Sequence, residues 1–193
     1  MAKSIDASKL ERIKESTVEL VVSHGYNAAS VSLIAKRAGV ADGYLYRFYN
    51  SKYDLVSDIF KDKVETLVDY FDYLYETKSS IKEIVHEFVA YIMNRAKEFP
   101  VQIKFLFMLI HDYNFEINIE VANRLKTTFE KLLDKGKKNN EINEHITSED
   151  LYVLIIGQSL LYIDSRYRNH FGHREFDDAI VSRVANLCFK AIN

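Results

Sequence analysis

The chain has 193 residues, 48% hydrophobic and 28% charged, with a net charge of −2. These are ordinary values for a globular protein large enough to bury a substantial core. They exclude a general polyanion binder and a disulfide scaffold, since Cys188 is alone. No apolar run approaches the ~18 residues that a membrane helix needs. The N-terminus MAKSIDASKL also lacks the apolar stretch of a secretory signal. The expectation is a cytoplasmic protein with no membrane partner.

Charge is unevenly distributed. Residues 1–52 hold 8 Lys+Arg against 5 Asp+Glu, a net of +3, and the remainder holds 18 against 23, a net of −5. A mildly basic head on an acidic body is the pattern that a local DNA footprint leaves. One proline and six glycines leave few interruptions. Apolar residues recur at helical spacing nearly throughout, so an all-α protein with long helices is predicted.

The first helix is predicted over roughly 7–24, with Leu10, Ile13, Thr17, Leu20 and Val21 on one face. Gly25 closes it, because glycine takes the left-handed conformation that ends helices. Ser30 caps a short helix with an inward stripe of Val31, Ile34, Ala35 and Ala38. Gly39 supplies a tight turn, and a third short helix is predicted over 42–49. Leu20, Val31, Ile34, Val40, Leu45 and Tyr49 make a small core for the three. From Ser51 the helices lengthen, to near 52–77, 80–98, 101–112, 117–139, 148–168 and 175–191. Pro100 suits a first helical turn, where its missing N–H is harmless.

Two short helices joined by a glycine turn are the geometry that lays a second helix in a major groove. A plain three-helix bundle has the same periodicity. The residues themselves carry more. The runs HGYNAASVSLIAKRAGV (24–40) and GYLYRFYNSKYDL (43–55) resemble the DNA-binding domain of the TetR family of bacterial regulators, over Leu10–Leu55.

The resemblance implies a helix-turn-helix domain over 6–52 and an all-helical ligand-binding and dimerisation domain over 53–193. It implies a ligand-responsive repressor that binds a palindromic double-stranded DNA operator as a homodimer. It also assigns roles by position. Ser30 and Lys52 would hold phosphates at helix ends, Lys52 forming an anion site with the N–H groups of the fourth helix. Tyr46 would offer its hydroxyl to a phosphate, and Ser32, Gly43, Tyr44 and Arg47 would lie near bases or backbone. Three positions depart from the family pattern. Ala41 stands where a capping hydroxyl is usual. Asp42, at a position usually basic or neutral, is itself placed to cap the third helix. Phe48-Tyr49 reverses the usual order.

In the body, residues 151–163 (LYVLIIGQSLLYI) are apolar almost all round, so this helix must be covered on every face. Either it is central within one chain or it meets a partner copy. The dimer reading takes Val153, Ile156, Leu160 and Ile163 with Phe176, Ile180, Val184 and Leu187 of the last helix. Aromatic clusters suggest either core or a pocket for a small apolar, aromatic or acyl effector. The pocket reading takes Tyr70, Phe71, Phe105, Met108, His111, Tyr113, Gln158 and Tyr162. Cys188, on an apolar face, reads as a core thiol.

Two other classes remain open. A DNA-binding architectural or partner-controlled dimer would need no effector. A helical metal enzyme has a foothold in the Glu83/His86 spacing and in the loop pair His170/His173. The first lacks a second copy and the other pair lacks a third ligand. No metal, cofactor or catalytic residue is therefore expected.

Overall fold

The computed structural model describes residues 7–172 and 176–193, and every regular element among them is helical. In chain order these are α1 (Ala7–His24), α2 (Val31–Ala38), α3 (Asp42–Leu45), α4 (Lys52–Thr77), α5 (Ile81–Glu98), α6 (Pro100–Ile110) and α7 (Ile119–Lys138). After them come α8 (Ser148–Tyr152), a π-helical turn (Val153–Gly157), α9 (Gln158–Tyr167) and α10 (Asp178–Ile192).

The boundaries follow local chemistry. Gly25 (φ 86°) ends α1, and Gly39 (φ 67°) ends α2, with its N–H returned to the Ala35 and Lys36 carbonyls. Asn118 caps α7 by accepting the Glu120 N–H at 2.8 Å. Thr147 and Asp150 form a reciprocal capping box on α8. Asp177 caps α10 by accepting from the Ile180 N–H at 2.7 Å. Residue 175, the expected start of that helix, lies outside the described residues.

The helix expected unbroken over 148–168 contains the π turn instead. A π turn breaks the regular i→i+4 ladder, and the Leu154 carbonyl accepts from the Cys188 thiol at 3.1 Å. Burial pushes the Cys188 thiol up to about 11, in keeping with a core residue. Periodicity could not reveal this turn, because it reports side-chain faces and not backbone hydrogen-bond register.

The residues cluster into two compact units, one of Met1–Lys63 with Lys104–Ile117 and one of Val64–Ile103 with Asn118–Asn193. The first thus extends past residue 52 and takes in a distant segment. Its core is built from Ile13, Thr17, Leu20, Val21, Ile34, Leu45, Leu55 and Phe60, all buried. Val31, Val40 and Tyr49, expected in that core, are only half-buried. Phe115 completes it, with ring centroids 5.3 Å from Tyr26, 5.5 Å from Phe60 and 5.9 Å from Tyr53.

In the second unit α5 buries Ile81, Ile84, Val85, Phe88, Val89, Ile92, Met93 and Ala96. It packs along α10, whose Val181, Val184, Ala185, Cys188 and Ile192 are also buried. Glu141 closes the start of α5, accepting from Ser80 Oγ at 2.9 Å and the Ile81 N–H at 3.0 Å.

Gly136 lies inside α7, where alanine would ordinarily favour the helix by about 1 kcal/mol. A Cβ there would clash with Ile142 Cδ1 and Cγ1, and Ile142 is itself buried. Overpacking outweighs propensity, so Gly136→Ala is expected to destabilise by about 1–3 kcal/mol in urea unfolding. Unchanged or raised stability would show that Ile142 yields freely.

Candidate nucleic-acid interface

The head presents its polar groups from α2, α3 and the turn after α3. Ser30 caps α2, its Oγ accepting the Leu33 N–H at 3.2 Å. Ser32, in the first turn of the helix, is exposed. At α3 the cap residue is Ala41, which offers no side-chain oxygen. Asp42 therefore does not cap the helix as expected; it sits in the first turn, where a carboxylate still favours the helix dipole. The uncapped helix closes after Leu45 rather than reaching 49. The chain continues through i→i+3 bonds, Arg47 N–H to Tyr44 O at 3.3 Å and Phe48 N–H to Leu45 O at 3.0 Å.

Gly43, Tyr46 and Arg47 are exposed, Tyr46 at 59%. A Cβ at Gly43 would meet nothing within 4 Å, so the surface there is open to close approach. Tyr44 is half-buried, 5.4 Å from the Phe48 ring, with Arg47 and Lys9 at 5.4 and 5.8 Å from its ring centroid. Lys9 was not singled out in the sequence; only the basic balance of residues 1–52 hints at it.

Other polar groups are turned inward. Tyr49 donates its hydroxyl to Asp58 at 2.8 Å, and Lys14 bridges Asp58 at 3.0 Å and Asp62 at 2.8 Å. Burial would raise the Asp58 carboxyl, but the Tyr49 and Lys14 hydrogen bonds hold it below its usual value. The reversed Phe48-Tyr49 order thus puts a hydroxyl on an intrachain carboxylate.

Lys52 differs from the phosphate-binding expectation. Its Nζ donates to the Tyr26 carbonyl at 2.8 Å and the Asn27 carbonyl at 3.3 Å, and lies 4.2 Å from the Tyr26 ring centroid. Burial lowers its pKa. It ties the α1–α2 turn to the start of α4, which the phosphate expectation did not include.

The expected pocket residues do not gather in one unit. Phe105, Met108, His111 and Tyr113 belong to the first, and Tyr70, Phe71, Gln158 and Tyr162 to the second. Phe105 and Phe71 are core, the latter 5.3 Å from Phe88. His111 is exposed and returns Nδ1 to the Phe107 carbonyl at 2.7 Å. Tyr113, at 104% exposure, lines no interior and is withdrawn from the pocket. Met108 is half-buried. Gln158 Oε1 lies 3.7 Å from Cys188 Sγ, and Tyr70 stacks on Tyr91 at 4.0 Å.

The expected dimer residues divide similarly. Ile156, Leu160, Ile163 and Val184 are buried within the single chain, so they are core and not a free interface. Val153 (54%) and Leu187 (49%) are exposed, and so is Leu161 (63%), which was not among the expected dimer residues. Phe176 and Ile180 are half-buried.

His86, of the Glu83/His86 spacing, faces Ser182 Oγ at 3.3 Å. The described residues contain no group of three metal-ligating side chains. His173, of the loop pair, lies outside them.

A family model described as bacterial regulatory proteins, tetR family, matches residues 13–59, which hold α2, α3 and the exposed Gly43, Tyr46 and Arg47. Over this stretch the chain is similar to the tetR family of bacterial regulatory proteins. A fatty acid metabolism regulator of Bacillus subtilis (strain 168) is 35% identical over 75 residues, which is 39% of this chain and 39% of that regulator. The match thus spans well under half of that relative's length. Among solved structures, a TetR family transcription regulator from Marinobacter aquaeolei VT8 superposes with a TM-score of 0.80. It is 21% identical, with 97% of this chain and 96% of that one covered. FadR from B. subtilis, solved in complex with stearoyl-CoA, gives a TM-score of 0.73 at 21% identity, covering 95% of this chain and 99% of its own. These likenesses show the all-helical fold that the chain shares with the solved TetR-family structures. No helix among the described residues is long and apolar enough to cross a membrane.

Proposed function

We propose that this chain is a TetR-family repressor that binds a palindromic operator as a homodimer and is released by an apolar effector. Residues 6–52 serve as the DNA-binding domain and 53–193 as the ligand-binding and dimerisation domain. The observation carrying the DNA reading is the exposure of Gly43, Tyr46 and Arg47 together, on a head in which Tyr49, Lys14 and Lys52 are engaged internally. Tyr46 reaches a phosphate, and Arg47, Tyr44 and Ser32 lie against bases or backbone. Phosphate contacts position the protein, and groove contacts specify the sequence.

Dimerisation is supported by the exposed Val153, Leu161 and Leu187, since an apolar patch on a water-soluble surface is stable when a second copy covers it. Two heads about 34–36 Å apart, or a multiple of that, engage successive major grooves. An effector can act only by favouring one spacing of the heads over another. The regulator named for fatty acid metabolism and the FadR complex with stearoyl-CoA support an acyl compound as that effector.

Selection from random DNA tests the reading. Wild type should enrich a palindrome, and Arg47→Ala should cost about 1–3 kcal/mol and relax preference at one base position in each half-site. Tyr46→Phe should weaken all sequences alike. Enrichment of no site by wild type would remove the operator reading.

A further inference from the structure

The second unit contains a cluster of hydrogen-bond donors that share one neutral acceptor. Tyr162 and Arg166 lie one turn apart on α9, and Arg183 reaches them from α10. The Tyr162 hydroxyl oxygen accepts from Arg166 Nη2 at 2.6 Å and from Arg183 Nη2 at 2.7 Å. With its oxygen so occupied, the phenol has only its O–H left to offer. Among the described residues no carboxylate pairs with Arg166 or Arg183. The nearby Asp164 is held instead by Arg168, Nε to Oδ2 at 2.8 Å. Arg166 Nη1 is buried and has no partner among the described residues. Ser159, fully buried on the same helical face two turns earlier, also has an unpartnered hydroxyl.

Two guanidinium groups sharing one neutral oxygen are an unstable arrangement by themselves. Like charges repel, and a buried guanidinium N–H without an acceptor costs more than an ordinary lost hydrogen bond. An acceptor-only group carrying negative charge resolves both problems at once. Arg166 Nη1–H, the free N–H groups of Arg183 and the Tyr162 O–H would all donate to it, and guanidinium geometry suits the paired oxygens of a phosphate or carboxylate. In the single chain Arg183 is exposed and Arg166 half-buried, so the open end of the cluster lies at Arg183 and its inner end at Arg166.

We propose that Tyr162, Arg166 and Arg183 form an anion-binding site that takes a phosphate or carboxylate group of a small molecule. Its use as the polar anchor of an apolar effector rests on the ligand-responsive reading above; the site itself does not. Tyr162 was expected to line a pocket, and this assigns it a partner chemistry.

Calorimetric titration of the full chain with inorganic pyrophosphate, at constant ionic strength, tests the site. Arg47→Gln serves as the background, so that anion binding at the head is reduced. Binding should be measurable at millimolar pyrophosphate and fall at least tenfold on adding Arg183→Gln. Arg166→Gln should give the same loss, whereas Arg168→Gln should give none. Absence of binding, or equal binding in the Arg183→Gln protein, would overturn the proposal. So would an equal fall with Arg168→Gln, which would mean diffuse attraction and no built site. A separate arm tests its use: dodecyl phosphate against dodecanol on wild-type operator affinity. Release by the phosphate and not the alcohol supports an anchored effector. Pyrophosphate binding lost with Arg183→Gln, but no release by dodecyl phosphate, keeps the site and removes the effector reading. If dodecanol releases the operator as well as the phosphate does, the site is not the effector's anchor.

Discussion

Replacing Phe115 with alanine is expected to lower stability by about 3–5 kcal/mol, the range for removing a buried aromatic side chain from a core that cannot collapse around the gap. Phe115 is buried and in ring contact with Tyr26, Tyr53 and Phe60. It is held by its own turn, where the Phe115 N–H meets the Asp112 carbonyl at 2.9 Å and Asp112 Oδ1 accepts the Asn114 N–H at 2.9 Å. Tyr26 supplies one carbonyl to Lys52, so the gap would loosen that tie as well. Urea unfolding of the full chain, followed by tyrosine fluorescence, gives the number. A loss under about 1 kcal/mol would mean that the segment around Phe115 only rests on the head. Phe115→Leu should recover part of the loss, since it restores volume without the edge-to-face ring contacts.

Placing lysine at both Leu161 and Leu187 is expected to convert a dimer into a folded monomer. These side chains are 63% and 49% exposed in the single chain, so charge there leaves the intrachain core intact. In a two-fold dimer each lysine would be buried without a partner on both subunits, and the cost of an unpaired buried charge, about 3–5 kcal/mol, is counted four times. Sedimentation velocity should show the dimer in wild type and the monomer in the double variant, with unchanged helical circular dichroism. A wild-type monomer would end the idea, and a double variant still dimeric would place the interface elsewhere. Ile156 and Leu160 are poor probes of the same question, because charge at either would disrupt the interior before it reached any partner.

The helical order, most of the helix ends and the head motif were legible in the sequence, because each rests on chemistry within a few residues. Ser30, Gly25 and Gly39 act on their own turns, and Pro100 opens α6 as its missing N–H requires. The shortness of α3 was half legible: Ala41 was visible as a missing cap, but Asp42 was expected to replace it. Tertiary structure decided the rest. A 3.6-residue period says which side chains share a face but not what covers that face. It therefore could not separate Ile156 and Leu160, covered by their own chain, from Leu161, which is not. Nor does it carry the backbone register, which shifts at Val153–Gly157 where the Cys188 thiol meets the Leu154 carbonyl. Phe115 entering the head, Lys52 turning to two carbonyls and Arg183 reaching Tyr162 are contacts between residues 21 to 89 positions apart. Such contacts are selected by the packing of whole helices, and no local pattern records them.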